Sequence, residues 1–268
     1  MSNENLLFNR DLALHEAINI VEKGVDIHCV NQHNQTPLFY IQNLDVIKYL
    51  ISHGMNPFHE NMHNETLIFR QHSLDVVKYY ISIGLDINHQ NFDGHTVLFL
   101  KDNYEDDVLD FFVKNMDLNL TDKLGAPVLF YEKSHDRIQL MIKSGANIHH
   151  TCDKNRNALF YVNNKKTIDL YIKNNIEINL IDVYGFTALD RFYSSRLMDI
   201  TRQLINAGGV FGNKQYYHDN RDLFDLETQK LLDSCDLLSS SNREFANMSV
   251  NIKKQTHLNI NDIKIEHI

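Results

Sequence analysis

Thr36-Pro37-Leu38-Phe39 opens a pattern that recurs five more times along the chain. The later copies are Thr66-Leu67-Ile68-Phe69, Thr96-Val97-Leu98-Phe99, Pro127-Val128-Leu129-Phe130, Asn157-Ala158-Leu159-Phe160 and Thr187-Ala188-Leu189-Asp190. Their third residues are separated by 30, 30, 31, 30 and 30 positions. A period of this length is the signature of a repeat protein, in which each repeat forms one supersecondary unit.

Each of these stretches is followed by a second apolar segment with helical spacing. In the segment 44–51, the apolar residues Ile47, Leu50 and Ile51 stand at i, i+3 and i+4. That spacing predicts an α-helix with one buried face. The repeat is therefore predicted to consist of two short helices and a connector, and the chain to be all-α.

The connectors use only two residue types at thirteen equivalent positions. Six lie two residues before the Thr position, namely Asn34, Asn64, Gly94, Gly125, Asn155 and Gly185. Seven follow the second helix, namely Gly24, Gly54, Gly84, Asn115, Gly145, Asn175 and Gly208. Glycine and asparagine best tolerate a positive φ, which helix ends and tight turns require. The same backbone path is therefore predicted in every repeat.

With these features the chain resembles the ankyrin repeat, whose first helix starts T-P-L-H. Gly145-Ala146-Asn147-Ile148-His149 is similar to the G-A-D-V-N ending of that repeat, and the segment from Asp182 to Thr187 is similar to its D-x-x-G-x-T opening. The resemblance covers about residues 5–210. It implies an all-α, ankyrin-type helical solenoid of about seven repeats including caps, with β-turn fingers along one edge.

The chain departs from that family pattern in two ways. Most repeats are three residues short between the paired helices: Thr36 to Gly54 spans 18 positions, whereas Thr187 to Gly208 spans 21. The usual His of the first helix is replaced by Phe. These residues, Phe39, Phe69, Phe99, Phe130 and Phe160, are expected to form a buried ladder in place of a hydrogen-bonded His ladder.

The predicted organisation is a repeat domain over residues 1–209, of which 1–27 form an N-terminal cap. Residues 210–238 are expected to contain a C-terminal capping helix, because the ends of a repeat stack must be covered. Residues 239–268 form a polar tail, either a short β-hairpin or a flexible segment. The weak alternation of Leu258-Asn259-Ile260 and Ile263-Lys264-Ile265 leaves both readings open.

Composition argues against several classes of partner. The formal net charge is −9 and no basic stripe is present, which disfavours nucleic acid and anionic membranes. The three cysteines are far apart, which fits a reducing compartment. No secretory signal or membrane span is recognised. The expected location is cytoplasmic, with delivery into a host cell left open, and the free chain is expected to be a monomer.

One catalytic-looking motif is present, His59-Glu60-Asn61-Met62-His63, which has the H-E-x-x-H spacing of zinc proteases. That motif needs a helix to bring both His side chains to one metal ion. Here it lies in a predicted finger, so the match is read as coincidence. No metal, cofactor or catalytic residue is assigned, and the chain is predicted not to be an enzyme.

The resemblance implies a protein-binding function, with a partner that docks on the concave face and on the finger tips. The residues predicted to bind it are His33, Gln35, Met62, His63, Glu65, Phe92, Asp93, His95, Lys123, Leu124, Asp153, Arg156, Tyr184 and Phe186. Among them, Phe92, Tyr184 and Phe186 are favoured, because aromatic side chains dominate interface hot spots. The alternative function is a bacterial or viral effector with an enzymatic activity that involves the C-terminal extension.

Overall fold

The described part of the protein is helical. The computed structural model describes residues 3–103 and 106–212, together with positions 222, 226 and 229. Among these residues there is no strand, so the all-α prediction is confirmed. The α-helices are α1 (Leu14–Glu22), α2 (Leu44–Ser52), α3 (Leu74–Ser82), α4 (Asp106–Asn115), α5 (His135–Lys143), α6 (Lys165–Lys173), α7 (Ala188–Ser194) and α8 (Met198–Asn206). The 3₁₀ helices are Asn3–Phe8, Pro37–Phe39, Leu67–Arg70, Val97–Asn103, Val128–Phe130 and Ala158–Phe160.

The second helix of a repeat has the start, face and end that its sequence predicts, as α2 shows. The Asn43 side chain caps its N-terminus by accepting hydrogen bonds from the backbone of the first turn. Val46, Ile47 and Leu50 are fully buried, and each such side chain contributes roughly 1.5–3 kcal/mol. At the C-terminus, Gly54 adopts φ 99° and closes the helix in a Schellman arrangement.

The first helix of a repeat is shorter than predicted. In four repeats it is a single 3₁₀ turn of three or four residues, as in Pro37–Phe39. Among the described residues, α7 of the last repeat is the first helix of a repeat that is α-helical, and this repeat has three extra residues. Its turn into α8 places Arg196 at φ 58°. The short repeats are three residues too short to contain both an α-helix and a loop like the one between α7 and α8, so their first helix is reduced to a 3₁₀ turn.

Twelve of the thirteen predicted turn positions have a positive φ. The prediction is wrong for Asn115, which is the last residue of α4. There the helix continues regularly, because the Met116 N–H donates to the Phe112 carbonyl at 2.9 Å. The Asn115 amide donates to the Phe111 carbonyl at 2.7 Å. This repeat contains the one additional residue of the series, so the chain leaves α4 without a left-handed turn.

The Phe ladder is buried at four of its five positions, Phe39, Phe69, Phe130 and Phe160. Phe99 differs and is partly exposed. Its 3₁₀ helix is kinked at Leu100, and the His95 ring stacks on Phe99 with centroids 4.6 Å apart. The local kink explains why this ring is not enclosed like the others.

The chain divides into two compact units. The first contains the described residues up to Lys123 together with Lys143–Ala146, and the second contains Leu124–Ile142 and the described residues from Asn147 onward. In the first unit α1 packs on α2 and α3 packs on α4, and in the second α7 packs on α8. None of the described helices has the length and apolar character needed to cross a membrane. The predicted capping helix and the tail to residue 268 lie outside the described residues, apart from 210–212 and three single positions.

Candidate functional site

The predicted fingers are five-residue turns, 31–35, 61–65, 91–95, 122–126, 152–156 and 182–186, and these segments are called fingers below. In the finger 61–65, the Asn61 side-chain oxygen accepts hydrogen bonds from the backbone N–H groups of His63 and Glu65 at 2.9 and 3.0 Å. The Asn61 N–H donates to the Glu65 carbonyl at 3.0 Å. The turn is therefore closed by its own first residue. Asn31, Asn91 and Asp182 accept the equivalent pair of bonds in their fingers.

Neighbouring fingers within a unit are joined near their tips by backbone hydrogen bonds. In the first unit, the Met62 N–H donates to the His33 carbonyl at 3.1 Å, and the Phe92 N–H donates to the His63 carbonyl at 3.0 Å. In the second unit, the Val183 N–H donates to the Lys154 carbonyl at 3.1 Å. Within each unit the tips therefore form a row held by backbone hydrogen bonds, which fixes the positions from which their side chains project.

Three histidines support the fingers through hydrogen bonds to finger carbonyls. The sequence suggests turn packing for His89 and His150, which lie near fingers, but it does not indicate their hydrogen-bond partners. The Nε2 atoms of His59 and His89 lie 2.8 and 2.7 Å from the carbonyls of Asn34 and Asn64 in the first unit. In the second unit His150 Nε2 lies 2.7 Å from the Gly125 carbonyl. Because a carbonyl only accepts, the ring nitrogen must donate. The same His-to-carbonyl bond thus recurs in successive repeats of the first unit and once in the second.

The choice between Asn and Gly at the left-handed finger position has a structural reason. The side chains of Asn34 and Asn64 donate to the backbone carbonyls of Glu60 and Gln90 at 3.0 and 3.2 Å. At Gly94, by contrast, a Cβ would lie 2.9 Å from the Asp122 Cα. Asparagine occurs where its amide can bond to the next repeat, and glycine occurs where the next finger approaches too closely.

Several predicted contact residues do lie exposed on the tips. In the first unit Met62 and Phe92 are 51% and 60% exposed, and in the second unit Leu124 and Tyr184 are 56% and 41% exposed. Large apolar side chains are costly to leave in water. The exposed polar tip residues are His33, His63, Asp93, Lys123 and Asp153, and the partly exposed residues are His95, Arg156 and Phe186.

Gln35 and Glu65 do not lie where the sequence placed them, because both are buried. As the fifth residue of its finger, each turns back beneath the tip. Gln35 Oε1 accepts from the Tyr40 hydroxyl at 2.6 Å. Glu65 Oε2 accepts from Asn61 Nδ2 at 2.8 Å and from Arg70 Nη2 at 3.1 Å. Their polarity serves internal hydrogen bonds, so they are removed from the candidate surface.

A pocket of about 330 Å³ lies behind the first two fingers. It is lined by His33, Gln35, Phe39, Tyr40, His63 and Arg70. Sequence reasoning missed Tyr40 and Arg70, although each directly follows a Phe of the ladder. The same position in the second unit holds Tyr131, Tyr161 and Arg191. Tyr and Arg are enriched in binding hot spots, so their recurrence at this position could have indicated a binding surface from the sequence alone.

The residues that directly follow the ladder position, Tyr40 and Arg70 in the first unit and Tyr131, Tyr161 and Arg191 in the second, are called the inner row below. In the second unit, Arg156 joins a finger tip to the inner row. Its Nε and Nη2 donate to Asp182 Oδ2 at 2.9 and 2.7 Å. Its guanidinium carbon lies 5.6 Å from the Phe160 ring centroid and 5.8 Å from that of Tyr184. Burial raises the pKa of the neighbouring Tyr161 hydroxyl, and its contact with Cys152 raises it further. The Tyr161 hydroxyl is therefore neutral at physiological pH.

The H-E-x-x-H motif is not helical, as the sequence predicted. His59 is engaged by the Asn34 carbonyl, whereas His63 lies exposed at the next tip. Within residues 3–103 and 106–212 no three His, Cys, Asp or Glu side chains are grouped to hold a metal ion. The motif therefore has neither the backbone nor the grouping that a zinc protease site uses.

Comparison of the chain with protein-family models and with curated proteins finds no match. The functional argument therefore depends on the geometry of the fingers and of the row behind them.

Proposed function

We propose that this chain is an ankyrin-type repeat protein that binds another protein through its finger tips and the inner row of Tyr and Arg residues. The sequence resemblance supports the family, and the recurring fingers of each unit support it further. One observation carries the functional proposal: exposed apolar side chains stand on turns that hydrogen bonds hold in place. Such a surface loses little conformational entropy on binding.

The proposed partner contacts centre on Phe92 and Met62 in the first unit and on Tyr184 and Leu124 in the second. Their side chains are exposed. The backbone of Met62, Phe92 and Leu124 is bonded to the neighbouring finger, and Tyr184 directly follows Val183, which makes such a bond. Aromatic residues of this kind bury a large area at low entropic cost when a partner covers them. No catalytic step is proposed, and the enzymatic alternative concerns a C-terminal extension outside the described residues.

The test uses the full-length chain and compares substitutions of exposed apolar residues on the finger tips with substitutions of exposed apolar residues elsewhere. Phe92→Ser and Tyr184→Ser remove an aromatic ring from a finger tip. Phe58→Ser and Leu197→Ser are matched controls, since Phe58 is 54% and Leu197 38% exposed, and neither belongs to a finger.

Binding of a partner identified by photo-cross-linking is then measured by isothermal titration. Each tip substitution is expected to weaken binding by about 30-fold, which corresponds to a hot spot of roughly 2 kcal/mol. The controls are expected to stay within about threefold of the wild type, because they leave both rows of contact residues intact. Equal losses at tip and control positions would contradict a finger-tip binding surface.

A further inference from the structure

Arg191 occupies the same repeat position as Arg70, but it lacks the acidic partner that Arg70 has. Arg70 Nη2 pairs with Glu65 Oε2 at 3.1 Å. The residue equivalent to Glu65 in the last repeat is Phe186, which carries no charge. The fold therefore places a second arginine at this position without the carboxylate that neutralises the first.

The nearby carboxylates accept hydrogen bonds from other groups. Asp182 Oδ1 accepts from the backbone of Tyr184 and Phe186, and its Oδ2 accepts both bonds from Arg156. Asp190 Oδ2 accepts from the Thr187 N–H and hydroxyl and from the Gly212 N–H. None of these bonds is donated by Arg191.

The Arg191 guanidinium has an unmet hydrogen-bonding requirement. Its Nη1 atom is buried and has no hydrogen-bond partner among the described residues. A buried charge without a partner is costly, and an anion is the natural compensation. Burial lowers the pKa of Arg191, and the positive charge of Arg156 lowers it further. The Nη1 donor that no described residue satisfies therefore favours an incoming hydrogen-bond acceptor, and a carboxylate is the acceptor that also compensates the guanidinium charge.

We propose that Arg191, together with Arg156 and Tyr161, binds the carboxylate of an acidic side chain on the partner protein. This inference depends on the proposed protein-binding function and names the chemistry of one partner residue. Arginine forms planar, paired hydrogen bonds with a carboxylate. The Tyr184 ring lies against Arg156 and so connects the site to the exposed finger tips of the same unit. We therefore expect the acidic residue of the partner to stand beside partner residues that contact these apolar tips.

The test follows the Arg side-chain Nε–Hε resonances of the full-length chain by NMR at constant ionic strength. Three probes are compared: N-acetylglutamate methylamide, its neutral glutamine analogue and inorganic phosphate. We expect the Arg191 resonance to shift saturably with the glutamate probe, with a Kd of about 1–10 mM, as a small ligand held mainly by one charged group gives. The glutamine analogue is expected to bind at least tenfold more weakly.

Variants separate the site from general charge effects. Phe186→Glu supplies the missing carboxylate within the chain, as Glu65 does for Arg70, and is expected to abolish the response to the glutamate probe. Arg191→Gln is expected to abolish the response that Arg156 gives, whereas Lys173→Gln, at an exposed position of α6 in the same unit, is expected to leave the Arg191 response unchanged. If the variant at position 186 or 191 fails to fold, the comparison of the charged and neutral probes on the wild type still tests whether a carboxylate binds.

Equal shifts with the glutamate and glutamine probes would overturn the proposal, and so would a response in Phe186→Glu like that of the wild type. A response to phosphate with none to the glutamate probe would overturn the carboxylate assignment. The two proposals can fail separately. If the Arg191 resonance shows no saturable shift but Tyr184→Ser loses partner binding, only the proposed carboxylate site is wrong. If the shift is present but the tip substitutions leave partner binding unchanged, only the proposed function is wrong.

Discussion

Replacing Gly94 with alanine tests whether contact between adjacent fingers fixes the residue type at the left-handed position. Gly94 has φ 76°, and an added Cβ would lie 2.9 Å from the Asp122 Cα and 3.1 Å from the Lys123 N. Gly24 is the matched control in the same unit, since it has φ 73° and a Cβ there would meet nothing within 4 Å. The two substitutions share the backbone strain and differ in the clash.

The magnitudes follow from these two contributions. An alanine in the left-handed region costs about 1–2 kcal/mol, and its lower entropy in the unfolded chain offsets about 0.4–1 kcal/mol of that cost. Gly24→Ala is therefore expected to lower the free energy of unfolding by about 1 kcal/mol. In Gly94→Ala the rigid backbone of the next finger must also shift, which adds about 1–3 kcal/mol. The total expected for Gly94→Ala is about 2–4 kcal/mol.

Urea denaturation followed by circular dichroism measures both variants against the wild type, with the slope of each transition compared to check that the same unfolding step is observed. A clearly lower midpoint for Gly94→Ala than for Gly24→Ala is the expected result. Equal midpoints would refute the reasoning, because backbone strain alone would then account for both.

Substitutions at two further positions test the interior of the first unit and the closure of a finger. Tyr80→Phe is expected to raise the free energy of unfolding by about 1 kcal/mol, because the Tyr80 hydroxyl is buried without a hydrogen-bond partner among the described residues. Burial raises the pKa of Tyr80, so the unfolded chain ionises first. The stability of the wild type therefore falls as the pH rises above about 10, and the stability advantage of Tyr80→Phe grows there by about 1.4 kcal/mol per pH unit. Urea denaturation of both proteins at pH 7 and pH 10.5 measures this change. An advantage that does not depend on pH would contradict the assignment. Asn91→Ala removes the acceptor of two backbone bonds and is expected to cost about 2 kcal/mol in thermal or urea denaturation. Asn91→Asp keeps the acceptor, as Asp182 does naturally, and is expected to stay near the wild type; equal losses in both variants would contradict this view of the finger.

Much of the local structure was predictable from the sequence, because it depends on residue type at one position. The left-handed turns follow from glycine and asparagine, and the buried faces of the α-helices follow from apolar spacing. Asn115 was predicted wrongly because a single added residue let α4 continue. The length of the first helices was not predictable either, since three missing residues can shorten a helix or its loop. The structure shows that the helix is reduced to one 3₁₀ turn.

The candidate surface was predictable only in part. Exposed tips such as Phe92 follow from their place in a turn. Gln35 and Glu65 were misplaced, because a polar residue in a turn is ordinarily exposed and their bonds to Tyr40 and Arg70 come from the fold. The bracing role of His59 depends on a carbonyl 25 positions earlier in the chain, a partner that no sequence pattern names.

Site-specific photo-cross-linking tests the central claim, that the finger tips bind another protein, most directly. A benzophenone amino acid is placed at Phe92 and Tyr184 on the tips, and at Lys48 and Lys173 on the exposed sides of α2 and α6. The account predicts that both tip positions cross-link one and the same protein in a lysate of the source organism, and that the two helix positions do not. Cross-linking of that protein from the helix positions but not from the tips would contradict it.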